Sequence, residues 1–136
     1  MKTIKPIAIF CLLAFTLSSC ATNMKFLTSA IVPAATGEVK VKKDNNNNYV
    51  LNLDVKNLAE PKSLTPPHEA YVVWMEDGRN AVKKLGQLSP GSGMLSSSLK
   101  ASLTATSVTE PTRVFITAEE GVDRQVPEGQ IILTTK

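Results

Sequence analysis

Gly37-Glu38-Val39-Lys40-Val41-Lys42-Lys43-Asp44-Asn45-Asn46-Asn47-Asn48-Tyr49-Val50-Leu51-Asn52-Leu53-Asp54-Val55-Lys56 is the stretch that decides the fold class. Val39 and Val41 alternate with Glu38, Lys40 and Lys42. After a polar tip, Leu51, Leu53 and Val55 alternate with Asn52, Asp54 and Lys56. Successive side chains of a strand point to opposite faces, so this period of two describes two half-buried strands. The tip, Lys43-Asp44 followed by Asn45 to Asn48, reads as a hairpin turn, because asparagine tolerates left-handed backbone.

Downstream, Pro61, Pro66 and Pro67 punctuate residues 58–69. Proline lacks a ladder donor and restricts the residue before it, so this is a connection. Ala70-Tyr71-Val72-Val73-Trp74-Met75 is apolar on both faces, which suits a strand covered on both sides. Glu76 to Asn80 is a turn. Val82, Leu85 and Leu88 are spaced by three, as on a helix, but Gly86 and the flanking turns favour a strand with a bulge near Lys83-Lys84. Ser89-Pro90-Gly91-Ser92-Gly93 is a further turn. Leu99, Ala101, Leu103 and Ala105 alternate with Lys100, Ser102 and Thr104, and Glu110-Pro111 ends that strand. Arg113 to Ala118 and Ile131 to Leu133 complete the set, with a charged loop from Gly121 to Gly129 between them. About seven short strands with frequent turns describe an all-β protein, an antiparallel immunoglobulin-like β-sandwich; a small β-barrel is the alternative.

The N-terminus is built differently. Lys2 and Lys5 precede an apolar run from Ile7 to Leu17, and Leu17-Ser18-Ser19-Cys20 closes it. A run of about 11 residues is short for a bilayer span, which needs about 20, and suits the core of a cleaved signal peptide. The closing tetrapeptide resembles the lipobox of bacterial lipoproteins. That resemblance implies cleavage between Ser19 and Cys20 and lipidation of Cys20 with acyl chains such as palmitate. Several chains give stable anchoring where one is marginal. The expected organisation is a signal peptide over 1–19, a lipidated tether over 20–35, with a first strand near Ala30-Ile31-Val32, and a sandwich domain over 36–136. The expected address is the cell envelope; for a Gram-negative source it is the outer membrane, facing the periplasm.

Composition narrows the partners. The chain has 136 residues, 15 basic and 12 acidic. Lys2 and Lys5 leave with the signal, so the remainder carries 13 basic against 12 acidic residues. That balance is not the basic excess of a nucleic-acid-binding domain. The two cysteines, Cys11 and Cys20, fall in the signal and at the lipidation site, so the domain is expected to fold without a disulfide or a cysteine-held metal.

No constellation for catalysis, metal or cofactor binding emerges. His68 is the single histidine, in a proline-rich loop, and reads as a solvated residue. Met24, Met75 and Met94 are soft ligands, but Met75 belongs to an apolar strand. Glu119, Glu120, Asp123 and Glu128 lack the spacing of a calcium loop. The serines at 96–98 have no neighbouring base. Lys42-Lys43 and Lys83-Lys84 read as edge charges that oppose sheet-to-sheet pairing. Trp74 and the pair Tyr71/Val73 must lie on opposite faces of their strand. One set fills the core; the other lies beneath a loop or on an exposed face, where Trp74 and Tyr71 are the candidate contact residues for a sugar or protein.

Three ordered stretches carry a family resemblance. They are Leu64-Thr65-Pro66-Pro67 leading into Tyr71-Val72-Val73-Trp74-Met75-Glu76-Asp77-Gly78; Leu85-Gly86-Gln87-Leu88; and Val114 to Glu120 followed by Pro127-Glu128-Gly129-Gln130-Ile131-Ile132-Leu133. Over about residues 64–135 the chain resembles the C-terminal extracytoplasmic domain of the anti-sigma-K factor family. The resemblance implies a β-rich fold outside the cytoplasm. The family's cytoplasmic sigma-binding region and membrane helix have no counterpart in the stretches quoted, so sigma-factor inhibition is not carried over. The expected function is a lipid-anchored binding module that senses or scaffolds envelope proteins, with no enzymatic activity. The alternative is a carbohydrate-binding or surface-adhesion lipoprotein.

Overall fold

The alternating stretch forms a hairpin in the computed structural model, which describes residues 21–88 and 100–136. Strand β2 (Thr36–Lys43) pairs antiparallel with β3 (Tyr49–Lys56), Val39 opposite Leu53 and Val41 opposite Leu51. Their inward side chains are buried. The tip is an Asx turn: Asp44 Oδ1 accepts from the backbone N–H of Asn48 at 2.9 Å and of Asn46 at 2.8 Å. Those bonds, from Asn48 first, hold the Asp44 carboxyl below its ordinary value of 3.8. Asn47 takes the left-handed conformation, φ 61°.

Among the described residues eight strands fill the two layers. They are β1 (Thr22–Lys25), β2, β3, β4 (Ala70–Asp77), β5 (Val82–Leu88), β6 (Lys100–Ser107), β7 (Pro111–Glu119) and β8 (Gln130–Thr134). One sheet has the order β1-β2-β3-β6, the other β5-β4-β7-β8, and every pairing is antiparallel. Strands β3 and β6 are neighbours in one sheet and β4 and β7 in the other, and the chain crosses between sheets from β3 to β4 and from β6 to β7. That interlocking is the one linking the B–C and E–F strands of immunoglobulin sandwiches. A single bridge, Phe26 to Thr135, joins the two layers at one edge without closing a barrel. The fold expected from the pattern is therefore the fold observed, with one strand more than the seven counted. Among the described residues no helix is long and apolar enough to cross a membrane.

That additional strand changes the reading of residues 20–35. Thr22–Lys25 does not tether; it pairs with β2, Thr22 opposite Val41 and Lys25 opposite Glu38. Ala30-Ile31-Val32, expected as a strand, is a loop. The Ser29 hydroxyl accepts from the N–H groups of Ile31 (3.1 Å) and Val32 (2.9 Å), bending the backbone just before Pro33. Val32 still reaches the core. The signal segment 1–19, Ser19, Cys20, the turn at 89–93, Met94, the serines at 96–98 and Leu99 lie outside the described residues.

The core lies between the sheets. Val39, Leu51, Leu53 and Val55 from one layer meet Tyr71, Val73, Met75, Val114, Ile116 and Leu133 from the other. The bulge of β5 falls at Leu85: Trp74 pairs with Lys84 and Val73 with Gly86, leaving Leu85 unmatched. This is close to the expected Lys83-Lys84 and has the same effect, shifting the face on which later side chains emerge.

Candidate functional site

Strand β4 explains why one sheet is buried twice. Tyr71, Val73 and Met75 point into the core, while Val72 and Trp74 point out with Phe115 of β7 and form a second apolar cluster. The outer cluster is roofed. The Arg113 guanidinium lies 4.6 Å from the Phe115 ring centroid. Lys84, opposite Trp74 on β5, donates from Nζ to the Val122 carbonyl, drawing the 121–129 loop across β4. Both Trp74 and Tyr71 are 0% exposed. The candidate contact role for these two rings is thus corrected: Trp74 lies beneath a loop and Tyr71 in the core, and neither ring presents a surface.

A chain of hydrogen bonds runs from Trp74 to the end of that sheet. Trp74 Nε1 donates to Thr117 Oγ1 at 2.8 Å, and Thr117 Oγ1 donates to Glu119 Oε1 at 2.6 Å. The Glu119 carboxylate also accepts from Glu128 N at 3.1 Å and from Gly129 N at 3.0 Å. Glu119 is 2% exposed, and these donors replace the water that an isolated buried carboxylate would lose. The sequence sets Glu119 in one acidic group with Glu120, Asp123 and Glu128. The signal available was its parity: within β7 it shares a face with Phe115 and Thr117. Gly129 is required here by close approach, since a Cβ at this position would fall 1.7 Å from the Ala118 carbonyl oxygen.

Above this anchor the 64–69 segment and the 120–129 loop frame a cleft of about 350 Å³, lined by Pro66, His68, Ala118, Glu119, Glu120, Arg124, Glu128, Gly129 and Gln130. Glu69 N donates to the Glu119 carbonyl at 3.0 Å, fixing the two segments together. His68, expected to be solvated, has a side chain only 12% exposed, and its Nδ1 lies 3.0 Å from Glu120 Oε1. Arg124 Nη1 meets Glu128 Oε2 at 2.8 Å, four residues along the loop. The Nε of Arg124 is buried and has no hydrogen-bond partner among the described residues.

The remaining charged candidates are spread out. Asp123 is exposed, and Lys83 Nζ donates to Thr109 Oγ1 at 3.1 Å. Lys42 and Lys43 are exposed at the opposite end of the sandwich, where a second cleft of about 330 Å³ is lined by Thr22, Met24, Val41, Lys42, Lys43, Tyr49, Glu110 and Pro111. Among the described residues no group of three or more histidine, cysteine, aspartate or glutamate side chains is placed to hold a metal ion. Comparison of the chain with family models, with curated proteins and with solved structures finds no match.

Proposed function

We propose that this chain is a lipid-anchored extracytoplasmic binding module that receives an envelope protein at the cleft between residues 64–69 and 120–129. The anchor rests on the lipobox-like Leu17-Ser18-Ser19-Cys20. The sensing or scaffolding task follows from the likeness to the anti-sigma-K extracytoplasmic domain, which lies wholly within the β-rich part of the chain. The observation that carries the binding reading is the buried Arg124 Nε, which has no hydrogen-bond partner among the described residues. A buried donor left unpaired costs about 1–3 kcal/mol, and an incoming carbonyl or carboxylate oxygen recovers that cost. The cleft's two pairings, the His68–Glu120 hydrogen bond and the Arg124–Glu128 ion pair, each include a partly exposed side chain, so they can exchange partners when a ligand arrives.

Site-specific photo-crosslinking in intact envelopes tests the proposal. A crosslinking residue at position 120 should give one discrete protein adduct, lost on Arg124→Ala, while the same residue at Lys40, on the outer face of the other sheet, gives none. Equal adducts from both positions, or none from position 120, would reject it.

A further inference from the structure

Thr22 is the first residue of β1 and stands opposite Val41; only Ala21 separates it from Cys20. Consecutive Cα atoms are about 3.8 Å apart, so an anchor two residues before a strand can stand off from it by no more than about 7.6 Å. Four residue pairs hold β1 to β2, so the domain begins almost at the cysteine.

The end of the sandwich nearest that cysteine has a distinct surface. The strand pairing brings Lys43 opposite Tyr49 and Tyr49 opposite Ser107, so the β2–β3 tip and the β6–β7 connection lie side by side. Lys42 and Lys43 are exposed, with Lys43 Nζ 5.2 Å from the Tyr49 ring centroid. Val108, in the connection, is 74% exposed, the most open of the large apolar side chains among the described residues. Arg79 is exposed on the β4–β5 turn at the same end. Lysine, tyrosine and a single projecting aliphatic are the groups that suit the headgroup layer of a bilayer: the ammonium groups meet phosphate, the ring spans the polar boundary, and the apolar tip enters it.

We infer that this end of the domain lies against an anionic phospholipid surface, with Lys42 and Lys43 at the lipid phosphates and Val108 at headgroup depth. The inference rests on the reading of Cys20 as the acylated residue. A long tether would let the domain tumble above the membrane; a one-residue link to a paired strand does not. The cleft with His68 and Arg124 then faces away from the membrane, because it lies at the opposite end of the same strands.

Depth-dependent quenching decides the point. The full chain is produced in a host that processes lipoproteins and reconstituted into vesicles of phosphatidylethanolamine and phosphatidylglycerol carrying brominated acyl chains. With Cys11 removed and Cys20 consumed by lipid, Val108→Cys and Val126→Cys each introduce one thiol for a fluorophore. The label at position 108 should be quenched several-fold more than the label at position 126. Reversing both lysines (Lys42→Glu with Lys43→Glu) should weaken that quenching while the protein still floats with the vesicles, since each lysine at an anionic surface is worth about fivefold in binding. Acylated, vesicle-bound protein whose two labels are quenched equally, or whose label at 126 is the deeper, overturns the orientation alone. Protein that carries no acyl mass and does not float overturns the anchor and the orientation together.

Discussion

Trp74 Nε1 donates to Thr117 Oγ1 at 2.8 Å, diagonally across the β4–β7 pair and on the face that points away from the core. The same hydroxyl donates onward to Glu119, whose carboxylate holds the start of β8. The indole is therefore tied to the loop that covers it, and the cleft is built on the far end of that tie.

Thr117→Val keeps the shape and removes the hydroxyl. Trp74 Nε1 then loses its acceptor and Glu119 one of its donors, both in a buried setting. The expected loss is about 2–3 kcal/mol in urea unfolding followed by tryptophan fluorescence. Glu119→Gln should cost about 2 kcal/mol, because its amide would set a donor against the Gly129 N–H.

Gly129→Ala should destabilise by about 1–3 kcal/mol, because the new methyl must displace the Ala118 carbonyl and separate β7 from β8. Gly78→Ala is the matched control. Its Cβ would meet nothing within 4 Å, and the change should stay within about 0.5 kcal/mol. Thermal midpoints of the two variants check the contrast.

Burial pushes the Tyr71 phenol from 10.0 up to about 12. Its stabilising contribution is complete below pH 10 and is lost as pH rises through about 12, since the unfolded chain ionises first. Stability measured between pH 9 and about pH 12 should fall more steeply in the parent than in Tyr71→Phe. At neutral pH that variant should lose about 1 kcal/mol with the hydrogen bond from the Tyr71 hydroxyl to the Ala59 carbonyl, 2.6 Å long.

Asp77 responds at the other limit. Backbone N–H groups of Arg79 and then Ala81 donate to its Oδ1 at 2.9 and 3.1 Å and hold its carboxyl below the ordinary 3.8. A depressed carboxyl stabilises the fold above the unfolded value, and that contribution disappears as pH falls through the lower folded one. Urea midpoints collected below pH 4 should therefore decline more shallowly in Asp77→Asn than in the parent.

What was legible in the sequence was local. Parity along Val39–Val41 and Leu51–Val55 settles which side chains are buried, because a strand has only two faces. The six apolar residues Ala70–Met75 signal a strand covered on both sides, and the proline and asparagine clusters mark where strands stop. The double coverage of β4 also requires that Tyr71 and Trp74 be separated, as they are.

The tertiary structure decided everything that depends on distant pairing. Thr22–Lys25 has no periodic signature; it becomes a strand because the free edge of β2 supplies hydrogen-bond partners. His68 meets Glu120 across 52 residues of sequence, and Lys84 reaches Val122 across 38. No short-range pattern encodes such contacts, since they exist only once two sheets have packed and one loop has folded over Trp74. Glu119 becomes the anchor of the cleft for the same reason: Thr117 precedes it by two residues on β7, and Gly129 comes back to it only at the end of that loop. Alternation along each strand determined the sandwich; the closure of one loop over one face determined where the cleft lies.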